Sequence, residues 1–171
     1  MFVSKSALRG GTLQVPQWKD AINANSFYKV SCLLCFGMAI LVNFKIPTLV
    51  ETCPMFPWTL MMACLTFQGI FCYLGDVTTW GQPSVWKALD VWLAIVNTCL
   101  YGFFALLPIL GWADWPIFIS IILLGTFTLA GWCKSMSLEA LRCKNLNSFI
   151  VFHSMWHWII AAGATTCLIR L

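Results

Sequence analysis

Five stretches of the chain, near residues 28–44, 56–76, 87–110, 115–133 and 148–169, are long, apolar and almost free of charge. At 1.5 Å of rise per residue, each is long enough to cross a bilayer core of about 30 Å as an α-helix. A backbone in hydrocarbon has no water to satisfy its N–H and C=O groups, so such segments are restricted to helices that close their hydrogen bonds internally. The expected architecture is an all-α, polytopic membrane helix bundle with about five transmembrane helices. Only 9% of the residues are charged, against about a quarter in ordinary soluble domains, which excludes a soluble globular class. No interior run of Ser, Pro or charge is long enough for a linker, so residues 28–171 should form one transmembrane domain behind a polar, basic segment, 1–27.

The breaks between segments have local causes. Pro47, Pro54 and Pro57 separate the first two, Gly81-Gln82-Pro83-Ser84 the second and third, and Gly111-Trp112-Ala113-Asp114 the third and fourth. The last two are joined by a more polar stretch, Lys134 to Asn147. Asp114 reads as a helix N-cap, its carboxylate accepting from free backbone N–H groups while Pro116 sits in the first turn.

Basic residues set the expected orientation. Lys5, Arg9, Lys19, Lys29, Lys87, Lys134, Arg142 and Lys144 would share one side and Lys45 and Arg170 the other. The positive-inside rule places the first group, and the N-terminus, on the cytosolic, matrix or stromal side, with the C-terminus opposite. The basic, acid-free opening Met1 to Arg9 reads equally as an organellar import sequence or as the inner flank of the first helix. Trp58, Trp80, Trp86, Trp112, Trp115 and Trp132 fall near segment ends, where indoles anchor at the headgroup level.

The net charge of +4 is small and scattered, so no nucleic-acid partner is expected. The nine cysteines mostly lie inside apolar segments and read as small hydrophobes. Cys32 and Cys35 form a CxxC with no zinc-ribbon or thioredoxin-like context.

The two histidines, His153 and His157, stand four apart near the start of the last segment. On a helix both imidazoles project from one face, about one turn apart. An ionisable pair inside an apolar segment points to a site. In the expected topology Asp76, at the end of the second segment, and Asp90, early in the third, lie at the same depth. Gln68, Cys72 and Asp76 repeat every four residues as one polar stripe, and Asp90 and Asn97 share a face of the third segment. Gln68 and Asn97 read as interhelical hydrogen-bonding residues, and the small run Ala161 to Thr166 as a close-packing surface. Asp90 reads equally as a first-turn acid favoured by the helix dipole, whereas Asp76, at a helix C-terminus, has no such support.

A haem with both histidines as axial ligands is excluded, because two residues on one helix cannot reach opposite faces of one iron. A pigment with one histidine as ligand stays open, as part of a pigment- or lipid-binding antenna-type protein. A divalent metal, zinc above all, suits the His153/His157 pair completed by a carboxylate from another helix.

His153-Ser154-Met155-Trp156-His157, at the start of the final helix, resembles the HxxxH of the CREST superfamily, which includes alkaline ceramidases, progestin and adipoQ receptors and myomaker-like proteins. The resemblance implies a seven-helix fold in which the last-helix histidines bind zinc with a third histidine from the second helix. An aspartate in the third helix holds a water, and a serine lies one turn before the third histidine. On that pattern His153 and His157 are ligands and Asp90 is the water-binding, catalytic aspartate. Asp76 falls near the place of the third histidine and Cys72 near that of the serine. Two helices between the third and the last are missing, which keeps the motif on the inner side and removes part of a cavity wall.

Two functions follow as expectations. The first is a non-catalytic accessory subunit of a larger membrane protein complex, descended from that fold with a degenerate metal site, its partners being the lipid bilayer and other membrane protein subunits. The alternative is a zinc-dependent lipid amide hydrolase in which His153, His157 and Asp76 hold zinc and Asp90 orients the attacking water or acts as general base.

Overall fold

A computed structural model describes residues 14–111 and 116–170. The N-terminal basic residues Lys5 and Arg9, the Asp114 cap, Trp112 and Trp115 lie outside the described residues. Helix α1 (Lys19–Ala24) follows a 3₁₀ turn, Pro16–Trp18. It is followed by α2 (Ser26–Thr52), α3 (Trp58–Tyr73), a π-turn (Leu74–Thr78), α4 (Val85–Leu106), α5 (Ile117–Arg142) and α6 (Leu146–Arg170). There is no strand among the described residues. Helices α2, α4 and α5, and α3 with its π-turn, are long and apolar enough to cross a membrane. Helix α6 is of similar length, and the two histidines lower its hydropathy.

Several helix boundaries have a clear chemical cause. The Asn25 carboxamide accepts from Tyr28 N at 2.8 Å and starts α2. Helix α2 does not stop at Pro47, as expected from sequence, but runs to Thr52. Proline is tolerated inside a bilayer helix because neighbouring groups absorb the freed carbonyl. The break comes instead at Cys53, which precedes Pro54 and takes a non-helical φ of −148°. Ser84 starts α4 by accepting from Lys87 N at 3.2 Å, and α4 ends at Leu106, two residues ahead of Pro108, which has no N–H to continue the ladder.

The polar stretch between the last two segments is another correction. Helix α5 continues through it to Arg142, because Met136, Leu138, Glu139, Ala140 and Leu141 are good helix formers without Gly or Pro among them. Hydropathy falls there while helicity persists. Only a tight turn remains, with Lys144 at φ +55° and the Asn145 side chain accepting from Ser148 N at 3.1 Å to start α6.

With lipid outside, burial of oil in oil contributes little, and close packing with interhelical hydrogen bonds holds such a bundle together. Side chains such as Phe44 and Ile121 accordingly point outward. Where helices touch, the backbones approach closely. A Cβ on Gly163 of α6 would lie 2.1 Å from Thr126 Oγ1 of α5, and one on Gly69 of α3 2.8 Å from Phe36 Cβ of α2. The run Ala161 to Thr166 therefore does serve helix packing. One apolar core, around Val42, Leu49, Met61, Leu65 and Phe104, fills the half of the bundle where α2 ends. The other, around Ile22, Tyr28, Trp80 and Phe149, fills the half where α2, α4 and α6 begin.

Two tryptophans expected at the lipid interface are in the interior. Trp58 and Trp80 are almost wholly buried, their indole N–H groups donating to Cys53 O at 3.0 Å and to Val15 O at 2.8 Å. Trp86 and Trp132 do lie at the surface.

Candidate metal centre

Helices α2, α4 and α6 begin, and α3 ends, at one end of the bundle, and their polar side chains converge there. The end of α3 widens into the π-turn, where both Thr79 N and Thr79 Oγ1 donate to Leu74 O at 2.9 Å. Such turns add a residue to the helix and recur at functional sites. This one carries Asp76 into the bundle, 2% exposed.

On α6 the imidazoles of His153 and His157 face one another, Nε2 to Nε2, at 3.3 Å. His153 Nε2 also lies 3.3 Å from Asp76 Oδ2. Tyr28 and Phe149 pack against the His153 ring at centroid distances of 5.1 and 5.0 Å, and Trp156 lies against His157 at 5.1 Å. The three residues expected to form a metal set are therefore brought together and buried.

Asp90 stands beside this set rather than in it. Its carboxylate accepts from Gln68 Nε2 and, at 3.2 Å, from Lys87 Nζ. Lys87 also donates to Asp76 Oδ1, so one ammonium bridges the two aspartates. Gln68 completes the interhelical link by accepting from Asn97 Nδ2 at 3.4 Å, the role expected for both amides. The placement of Asp90 is thus more than that of a first-turn acid.

The N-terminal strap seals the same end. Gln14 Nε2 donates to Asp76 Oδ1 at 2.8 Å, and Gln14 Oε1 accepts from Gly81 N at 2.9 Å. Gly81 has φ +75°, and a Cβ there would meet Pro16 Cα at 2.7 Å. Both the turn and the strap require glycine.

Two thiols join the cluster. Cys72 Sγ is 3.8 Å from both Asp76 Oδ2 and His157 Nε2. Potential ligand atoms of Cys32, Asp76, His153 and His157 all lie within 4.8 Å of one another, and those of Cys72, Asp76 and Asp90 form a second such group. All are buried, at metal-binding distances. The bridging Lys87 ammonium already supplies the positive charge in the second group.

Sequence reasoning missed Lys87, Cys32 and Gln14. Lys87 precedes Asp90 by three residues, a spacing that brings side chains together on a helix. Tyr28, Ser31, Cys32 and Cys35 form a comparable face on α2, hidden by the reading of cysteine as a hydrophobe. Gln14 carried no local signal.

Beside His157 lies a cavity of about 40 Å³, lined by Gln68, Asn97, Trp156 and His157 among apolar side chains such as Met38, Leu65 and Phe127. Asn97 Oδ1 and Trp156 Nε1 are buried without a hydrogen-bond partner. No protein-family model, curated protein or solved structure matches the chain.

Proposed function

We propose that the chain is a multi-pass membrane protein of CREST-like ancestry that holds zinc at His153, His157 and Asp76 and serves as a non-catalytic accessory subunit of a larger membrane protein assembly. The donor set fits the ion. Tetrahedral zinc with nitrogen at about 2.0–2.1 Å and oxygen at about 2.0–2.2 Å puts neighbouring donors about 3.3–3.5 Å apart. Two of the three edges, His153 Nε2 to His157 Nε2 and His153 Nε2 to Asp76 Oδ2, are 3.3 Å, and the third lies within 4.8 Å.

The observation that carries the non-catalytic part is the engagement of Asp90. A carboxylate that orients water or takes a proton must lie within hydrogen-bond reach of the reacting atoms. In this chain Asp90 lies outside the group that contains the two histidines, and its oxygens accept instead from Gln68 and Lys87. When bound, zinc supplies Lewis acidity, polarising a carbonyl and lowering the pKa of a water to about 7. The aromatic residues around this cluster shield the site.

Orientation belongs to the same proposal. Lys19, Lys29, Lys87, Lys134, Arg142 and Lys144 stand at the cluster end of the bundle and Lys45 and Arg170 toward the other. The positive-inside rule then puts the metal cluster near the cytosolic, matrix or stromal face.

The cavity beside His157 favours a second reading, a zinc-dependent lipid amide hydrolase. An amide offers one donor and one acceptor, matching the unpartnered Asn97 Oδ1 and Trp156 N–H.

Metal analysis of the detergent-purified wild type with His153→Ala and His157→Ala, native gel migration from its own membranes, and an amidase assay on long-chain N-acyl lipids separate these readings. The proposal expects zinc in the wild type, its loss in both variants, a large native complex and no turnover. A metal-free wild type overturns the metal assignment. Amide turnover by the isolated chain, abolished in His157→Ala, overturns the non-catalytic role and establishes the second reading.

A further inference from the structure

We infer that Cys32 is the fourth protein ligand of this centre, making it a closed Cys–Asp–His₂ site that joins α2, α3 and α6. The inference rests on zinc binding at His153, His157 and Asp76 and adds the residue that completes the coordination. Cys32 is fully buried on α2, one turn after Tyr28, whose ring packs on His153. Its Sγ shares a 4.8 Å sphere with an Asp76 oxygen and a nitrogen of each histidine. Zinc–sulfur bonds of about 2.3 Å bring a thiolate within about 3.6 Å of tetrahedral nitrogen neighbours. A side-chain adjustment of the order of 1 Å closes the set.

Of the two thiols at the cluster, Cys32 rather than Cys72 belongs to the metal. Cys72 Sγ approaches Asp76 Oδ2 and His157 Nε2 at 3.8 Å, but it shares no such group with His153, whereas Cys32 groups with both histidines; Cys72 groups with Asp76 and Asp90, where the Lys87 ammonium already lies. Charge supports the assignment. Zn²⁺ with the Cys32 thiolate, the Asp76 carboxylate and two neutral imidazoles sums to zero, and Lys87 with Asp90 also sums to zero. A neutral cluster avoids the cost of an uncompensated ion in an apolar bundle.

Four protein ligands leave no open position, which is the form of structural rather than catalytic zinc. The ion would bind the folded arrangement of three helices and stabilise it directly. The closed set thereby explains why a buried metal site would persist in a chain whose Asp90 is otherwise engaged.

Zinc K-edge X-ray absorption of the purified wild type tests this without any variant. The expected shell is one sulfur at about 2.3 Å with three nitrogen or oxygen neighbours; a shell with no sulfur, or with two, overturns the inference while leaving zinc binding intact. Cobalt substitution adds the assignment. The wild type should show a thiolate-to-cobalt charge-transfer band in the near ultraviolet, lost in Cys32→Ser and kept in Cys72→Ser. The opposite pattern, or a band kept in both, assigns the sulfur elsewhere and overturns it. Failure of the wild type to bind zinc or cobalt defeats the underlying reading and this inference together.

Discussion

The ammonium of Lys87 lies 3.2 Å from the carboxylate of Asp90, on the next turn of the same helix, and reaches across to Asp76 on the π-turn. One cation therefore bridges two buried acids. Removing one partner of a buried pair leaves uncompensated charge and costs about 3–5 kcal/mol, whereas replacing the whole set with matched apolar or neutral groups is often neutral. Lys87→Met should destabilise the protein by about that amount in detergent. The triple change Lys87→Met, Asp76→Asn, Asp90→Asn should recover most of it in thermal unfolding of metal-free protein. A triple variant no more stable than the single would show that the charges are not the cause.

Gly163 and Thr126 make a second, independent test. Gly163→Ala drives a methyl into Thr126, and overpacking of this kind costs about 1–3 kcal/mol. Thr126→Gly in the same chain should restore part of the loss. Unchanged unfolding temperature in Gly163→Ala would mean that α5 and α6 do not pack here.

The strap over Asp76 depends on Gly81. In Gly81→Ala the new Cβ meets Pro16 and the φ of +75° becomes unfavourable, so residues 14–24 should lift from the cluster. Hydrogen exchange in that segment should rise well above wild type, with α2 and α5 unchanged. Equal protection in both proteins would refute the strap.

Cys143 reports the topology. It is exposed in the α5–α6 turn, and its thiol is held above the usual range by the Glu139 carboxylate, which accepts from Sγ at 3.5 Å. A raised thiol pKa leaves less thiolate at neutral pH, so labelling by a membrane-impermeant maleimide should be slow at pH 7 and faster as pH rises. Glu139→Gln should speed it at pH 7. Labelling only from the cytosolic, matrix or stromal side is expected; labelling from the opposite side would overturn the orientation.

Much of this arrangement was legible in the residues themselves. The four-residue stripe Gln68, Cys72, Asp76 and the histidine pair on α6 follow from helical periodicity, which membrane helices obey because their backbone has no alternative. The convergence of His153 with Asp76 followed from strand-free up-and-down topology alone. Helix ends were less legible, because neither a single proline nor a fall in hydropathy fixes where backbone hydrogen bonding stops. Helix α2 continues through Pro47 and α5 through the polar stretch from Lys134 to Arg142. The strap could not be read at all, since Gln14 meets Asp76 across 62 residues of chain with no local pattern to announce it.

The π-turn at Leu74–Thr78 has a consequence for chain length. An α-helix advances about 100° per residue, and the wider turn absorbs a register shift of about that size. Deleting one residue there would return the segment to α geometry and swing everything after it, including the Gly81 seat of the strap and the start of α4, around the helix axis. This corner of the molecule is a phase setting: a substitution alters one donor, whereas a change in length misaligns Asp76 and Lys87 at once.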